Sequence, residues 1–109
     1  MIPSSMRNKY KNIKTEYNGQ LYDSKLEANI AGELWLLQKA GIVSEVERQK
    51  VFELLPKPNR ITYRADFFVF FTNGTQEVWE AKGYWTPTAK LKIKLLKHFY
   101  PELKVIIRS

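Results

Sequence analysis

Arg60-Ile61-Thr62-Tyr63-Arg64-Ala65-Asp66-Phe67-Phe68-Val69-Phe70-Phe71, then Thr72-Asn73-Gly74, then Thr75-Gln76-Glu77-Val78-Trp79-Glu80-Ala81-Lys82, is the stretch on which the fold turns. Ile61, Tyr63, Ala65, Phe67, Val69 and Phe71 recur at every second position, which predicts a strand with those six on one face. Thr75 to Lys82 predicts a second strand, antiparallel to the first. A plain two-residue Asn73-Gly74 turn would pair Thr72 with Thr75, and so Asp66 with Ala81, sending Glu80 to the other face. A three-residue loop, Thr72 to Gly74, with Gly74 in the left-handed region pairs Phe71 with Thr75 instead. That register sets Asp66 opposite Glu80, Arg64 opposite Lys82 and Phe67 opposite Trp79, and it is the one expected here.

Outward from this hairpin the chain reads α-β-β-β-α-β. Ser24 is a suitable N-cap with Glu27 three residues on, and Gly41 a suitable stop, so a helix is expected from Lys25 to about Ala40. On a helical wheel Leu26, Leu37, Ile30 and Leu34 span roughly 80° of arc, and Glu27 falls at the edge of that apolar face. Glu45 to Leu55 predicts a strand ended by Pro56-Lys57-Pro58-Asn59. Thr86-Pro87 opens a helix reaching Phe99, and Leu103 to Ile107 predicts a last strand. Residues 1–15 carry Arg7, Lys9, Lys11 and Lys14 with little apolar periodicity and read as a basic arm. Residues 16–109 form one domain, since 109 residues suffice for a single core.

The composition excludes several classes. The chain has no cysteine and a single histidine, so neither a disulfide framework nor a self-contained multi-His zinc site can form. The apolar run Phe67–Phe71 is too short to span a bilayer, and the N-terminus lacks a signal-peptide core, so the expected compartment is the cytoplasm. Net charge is +7, with five basic and two acidic residues in 1–25 and seven basic and one acidic in 82–109. The middle, 26–81, holds six basic and eight acidic residues. Cationic ends around an acidic centre suit a protein that grips a polyanion and binds a cation between. A high pI alone produces the same balance.

Asp66, Glu80 and Lys82 then share one face at a strand end, with Glu27 within reach from the helix. Two carboxylates can hold a hard cation such as Mg²⁺, which polarises a phosphate and acidifies a water; the ammonium can orient that water or offset phosphate charge. Taken alone, Asp-x13-Glu-x-Lys is a weak motif, which solvated strand charges or salt bridges to Arg64 and Lys82 also satisfy. For Glu27 the competing reading is the Ser24-x-x-Glu27 capping box.

With these residues placed, the chain resembles the PD-(D/E)XK nucleases, and more narrowly a small phage and prophage family related to Holliday-junction resolvases. The resemblance runs from residue 17 to 109 through Tyr22-Asp23-Ser24-Lys25-Leu26-Glu27-Ala28, Val46-Glu47-Arg48-Gln49, Phe52-Glu53-Leu54, Tyr63-Arg64-Ala65-Asp66-Phe67, Glu80-Ala81-Lys82-Gly83, Thr88 and Lys92-Ile93-Lys94. It implies a restriction-endonuclease-like αβββαβ core, an α/β fold with a mixed central sheet flanked by helices. It implies Mg²⁺, with Mn²⁺ as a substitute, held by Glu27, Asp66, Glu80 and the Ala81 carbonyl. It gives Lys82 the attacking water and Gln49 a supporting polar role. Ala65 departs from the namesake proline, and Glu80 replaces an aspartate of the narrower family.

Lys90, Lys94 and Lys97 form a stripe on the second helix opposite Leu91, Ile93 and Leu95, with Lys92 at its flank. Such a stripe is also what any wet helix face presents, but this one follows Lys82 and the Gly83-Tyr84-Trp85 loop. Lys9, Lys11, Lys14 and Lys25 are further candidate phosphate contacts, and Trp85 a candidate for base stacking. The expected activity is metal-dependent, structure-specific cleavage of branched DNA, foremost resolution of four-way junctions by a homodimer. Trp35, Phe52 and the arm are candidates for the dimer surface. The alternatives are a less selective nicking nuclease, a non-catalytic DNA-binding module, and an RNA-directed protein.

Overall fold

The computed structural model describes residues 15–17, 20–22, 24–82 and 85–109. Its elements are β1 Thr15–Tyr17, β2 Gln20–Tyr22, α1 Lys25–Lys39, β3 Val43–Leu55, β4 Ile61–Phe71, β5 Gln76–Ala81, α2 Pro87–Phe99 and β6 Lys104–Arg108. The four long strands lie in the order β3-β4-β5-β6, with β3-β4 and β4-β5 antiparallel and β5-β6 parallel. This is the expected α/β core with a mixed sheet. The β1-β2 hairpin, antiparallel with Tyr17 paired to Gln20, precedes it. Lys9, Lys11, Lys14 and Gly83-Tyr84 lie outside the described residues. No helix among the described residues is long and apolar enough to cross a membrane.

Local chemistry sets the helix ends. The Ser24 hydroxyl accepts from the Glu27 N–H at 3.1 Å, and the Thr86 hydroxyl from the Ala89 N–H at 3.0 Å. At the far end of α1, Gly41 takes φ 78°, while its N–H donates to the Gln38 carbonyl and that of Ile42 to the Leu37 carbonyl. These paired bonds satisfy carbonyls that the helix end would otherwise leave open.

Phe67 and Phe68 are both buried because helices cover both faces of the sheet, which is why β4 reads as a continuous apolar run. Phe67, Val69 and Trp79 pack with Ile30 and Leu34 of α1; Phe68 and Val78 pack with Ile93 and Leu96 of α2. The single-face expectation for β4 fails at one point. Tyr63 and Ala65 join the α2 cluster, whereas Phe67 and Val69 join the α1 cluster. The change of side falls at Asp66, and across the sheet it falls at Gln49, which has φ 57°. The pairs Arg48–Phe67 and Lys50–Ala65 bracket these two residues. A left-handed residue reverses side-chain alternation, so the long β3-β4 ribbon serves both layers.

Two smaller expectations are also corrected. Phe52 is a core residue, edge-on to Phe68 at 5.5 Å, and cannot form a dimer surface, whereas Trp35 is exposed. Leu91 is exposed, and Leu96 takes the buried place on α2 because the helix meets the sheet through Ile93 and Leu96.

Candidate active site

The hairpin turn has the expected form. Phe71 N–H donates to the Thr75 carbonyl, Gly74 N–H donates to the Phe71 carbonyl, and Gly74 has φ 92°. Asn73 Oδ1 accepts from both the backbone N–H and the hydroxyl of Thr75, at 2.9 and 2.7 Å. The ladder runs from Phe70–Gln76 to Phe67–Trp79, and one more step sets Asp66 opposite Glu80. At that step side chains replace the backbone pairing. Asp66 N–H donates to Glu80 Oε2 at 3.3 Å, and Ala81 N–H donates to Asp66 Oδ2 at 2.8 Å. Beyond it β5 follows β6, with Lys82 N–H donating to the Arg108 carbonyl at 2.9 Å. The two carboxylates therefore fill a fork between diverging strands, where the freed amides hold them in place.

The fork is electrostatically costly. Glu80 is only 2% exposed, the Tyr63 hydroxyl donates to its Oε2, and Lys82 Nζ stands 3.4 Å from its Oε1. Burial foremost, and then the Glu80 charge, push the Asp66 carboxyl from its ordinary 3.8 up to about 7. The Ala81 N–H and the Lys82 charge only partly oppose that rise. Burial and the same two carboxylates push the Tyr63 phenol upward, so it remains a donor. Such a pair is only partly neutralised by Lys82 and presents oxygen ligands, which fits a hard divalent cation bound through one or two carboxylates and substrate phosphates.

Glu27 is buried at the edge of α1 as its helical position requires, but its Oε1 accepts from Arg48 Nη2 at 2.9 Å. Arg48 in turn lies 4.1 Å over the Tyr22 ring. Among the described residues no group of three His, Cys, Asp or Glu side chains is arranged to hold a metal. The structure thus brings together Asp66, Glu80 and Lys82, with the Ala81 backbone between the last two, and gives Glu27 a cationic partner. Ser24 supplies its half of the capping box while the Glu27 carboxylate turns to Arg48.

Gln49 stands across from Asp66 in a conformation that costs a non-glycine residue about 1–2 kcal/mol. Its place near the site was expected only from the resemblance, and its left-handed conformation not at all. Gln49→Gly is expected to hold or raise stability by up to about 1 kcal/mol, and Gln49→Val to lower it by at least as much. Urea unfolding of the two variants measures the difference. A Gln49→Val protein as stable as Gln49→Gly would mean that the left-handed conformation carries no strain.

The candidate nucleic-acid contacts divide. Lys25, Lys90 and Lys94 are exposed, while Lys92 is half-buried. Trp85 is half-buried against the α2 cluster, so packing accounts for it. Among the described residues the fold also places a further cation, Arg48, against the candidate ligand Glu27. The arginine next to Gln49 in the matching segment was the available signal.

No curated protein matches the chain, and no solved structure does. A family model does match, over residues 7–109, and its description is "Protein of unknown function (DUF1064)". The fork between β4 and β5, with both its carboxylates and Lys82, lies inside that span, and the chain belongs to this DUF1064 family.

Proposed function

We propose that this protein is a metal-dependent, structure-specific endodeoxyribonuclease that hydrolyses phosphodiester bonds in branched DNA, acting as a Holliday-junction resolvase. One observation carries the proposal: the hairpin register brings the Asp66 and Glu80 carboxylates together at a strand fork with Lys82 beside them. Asp66 and Glu80, with the Ala81 carbonyl, would hold the cation, and Glu27 would join them on release from Arg48. Bound there, Mg²⁺ or Mn²⁺ supplies Lewis-acid polarisation of the phosphate and acidifies a water. Lys82, tethered to Glu80, is placed to orient a water or to offset charge growing on the phosphate. Tyr63 and the Asp66 and Ala81 amides hold the carboxylates in one geometry, which removes reorganisation from the catalytic step. Two symmetric cuts in a junction require two sites, hence a homodimer.

The test is cleavage of an end-labelled four-way junction, matched duplex and single strand in Mg²⁺ or Mn²⁺. Paired nicks confined to the junction are expected. Equal cutting of all three substrates would mark a general nuclease, and tight binding without cleavage a binding module. Metal binding has a separate readout. Saturating Mg²⁺ is expected to raise Tm, by roughly 10–20 °C at one hundred times Kd for a domain of this size, and to do so far less in Glu80→Gln. Equal shifts in the two proteins would remove Glu80 from the metal site.

A further inference from the structure

Beside the fork lies a second basic feature that the catalytic proposal does not use. β4 pairs with β5 only from Phe67 to Phe70, whereas its pairing with β3 continues to Ile61. Along Ile61–Ala65, β4 therefore has a strand on one side only, among the described residues. Thr62 and Arg64 from this half-paired segment, Arg60 just before it, Val51 of β3 and Lys92 of α2 line an open groove of about 430 Å³. Three of its five lining residues are cationic, and none is acidic. Arg60 has a partner at its mouth, Glu53 at 3.4 Å. Arg64 and Lys92 have no carboxylate within ion-pair distance among the described residues.

Two cations that line one groove with no carboxylate at ion-pair distance give it a positive potential, which suits an anion bound between them. Thr62 adds a hydroxyl donor and Val51 an apolar wall. Arg64 precedes Asp66 by two residues, so the groove opens about 7 Å along the strand from the fork and ends at Arg60 about 20 Å away. That is the dimension of a backbone track, not of a pocket for one small anion.

We infer that this groove binds the DNA phosphate backbone and leads it to the fork, with Arg64 and Lys92 as its principal phosphate contacts and Arg60 at its entrance. The inference rests on the nuclease proposal for its choice of DNA as the polyanion. Backbone contacts of this kind fix position without reading bases, as shape recognition requires.

The test is fluorescence anisotropy in EDTA on a labelled four-way junction, a duplex and an RNA duplex of the same sequence, across a salt series. Arg60→Gln/Arg64→Gln/Lys92→Gln is compared with wild type and with Lys39→Gln/Lys57→Gln/Lys104→Gln, which removes the same charge elsewhere. Circular dichroism confirms that each folds. The groove variant is expected to bind DNA at least about tenfold more weakly, with a log K against log salt slope shallower by about 2–3, the control keeping most of both. Arg60→Lys/Arg64→Lys is expected to restore most of the affinity. Equal losses in groove and control variants, or no loss in either, would overturn the groove while leaving the nuclease proposal standing. Wild-type protein that ignores DNA, or prefers RNA, would instead overturn the choice of DNA.

Discussion

Asp66→Asn is expected to lower metal-dependent DNA cleavage by at least about 10³-fold while leaving DNA affinity in EDTA intact. The same change should stabilise the metal-free protein. Asp66 is partly buried beside Glu80, and its carboxyl is raised from 3.8 to about 7, so above that pH the fold carries a charge that Ala81 and Lys82 only partly offset. The sign follows from proton counts. Between 3.8 and 7 the folded state holds a proton that the unfolded state has lost, so stability falls as pH rises through this window. The loss is complete above about 7 and amounts to about 4 kcal/mol at most. Glu33, held below the usual carboxylate range by Arg108, contributes the opposite slope, but only at more acid pH.

Wild-type protein in EDTA should therefore melt at a lower temperature at pH 8 than at pH 5.5, and Asp66→Asn should flatten the difference. Thermal scans at the two pH values, with cleavage run in parallel, check both halves. A variant that is inactive and also destabilised would mean that Asp66 is structural, its hydrogen bond to Ala81 outweighing its repulsion from Glu80. Stability gained at the expense of activity is the signature of a group kept for chemistry.

Arg48→Met carries the second large effect, and it is one of stability. Glu27 is 5% exposed, and Arg48 supplies a bond to it at 2.9 Å. Removing the cation leaves a buried carboxylate without that partner and takes the guanidinium off the Tyr22 ring, which is expected to cost about 2–4 kcal/mol in urea unfolding. Mg²⁺ should then stabilise Arg48→Met by more than it does wild type, because the cation no longer competes with Arg48 for Glu27. An unchanged Mg²⁺ shift would assign Glu27 to the ion pair alone. The Glu27→Gln/Arg48→Met double variant isolates the coupling between the two.

Much of this molecule follows from local chemistry. Ser24, Gly41, Thr86 and Pro87 set helix ends that need no tertiary partner, because capping bonds close within a few residues. The hairpin register is legible for a related reason. Asn73 and Gly74 sit in a loop whose length fixes the pairing, and a slip by one residue would send the Glu80 side chain to the face away from Asp66. The opposition of Asp66 and Glu80 is therefore written in the chain.

Other features depend on packing that no local pattern encodes. The change of side at Asp66 and Gln49 arises because one long ribbon must serve helices on both faces of the sheet, which a period-2 reading of β4 misses. Arg48 meets Glu27 across 21 residues, so the pair exists only once α1 is docked on β3. The groove of Arg60, Arg64 and Lys92 likewise requires α2 to lie beside a segment of β4 that β5 has left. Local sequence determined the elements, their ends and the facing of the two strand carboxylates. Long-range burial decided which charges meet, because only the closed fold brings distant side chains within a few ångströms and removes the water that screens them.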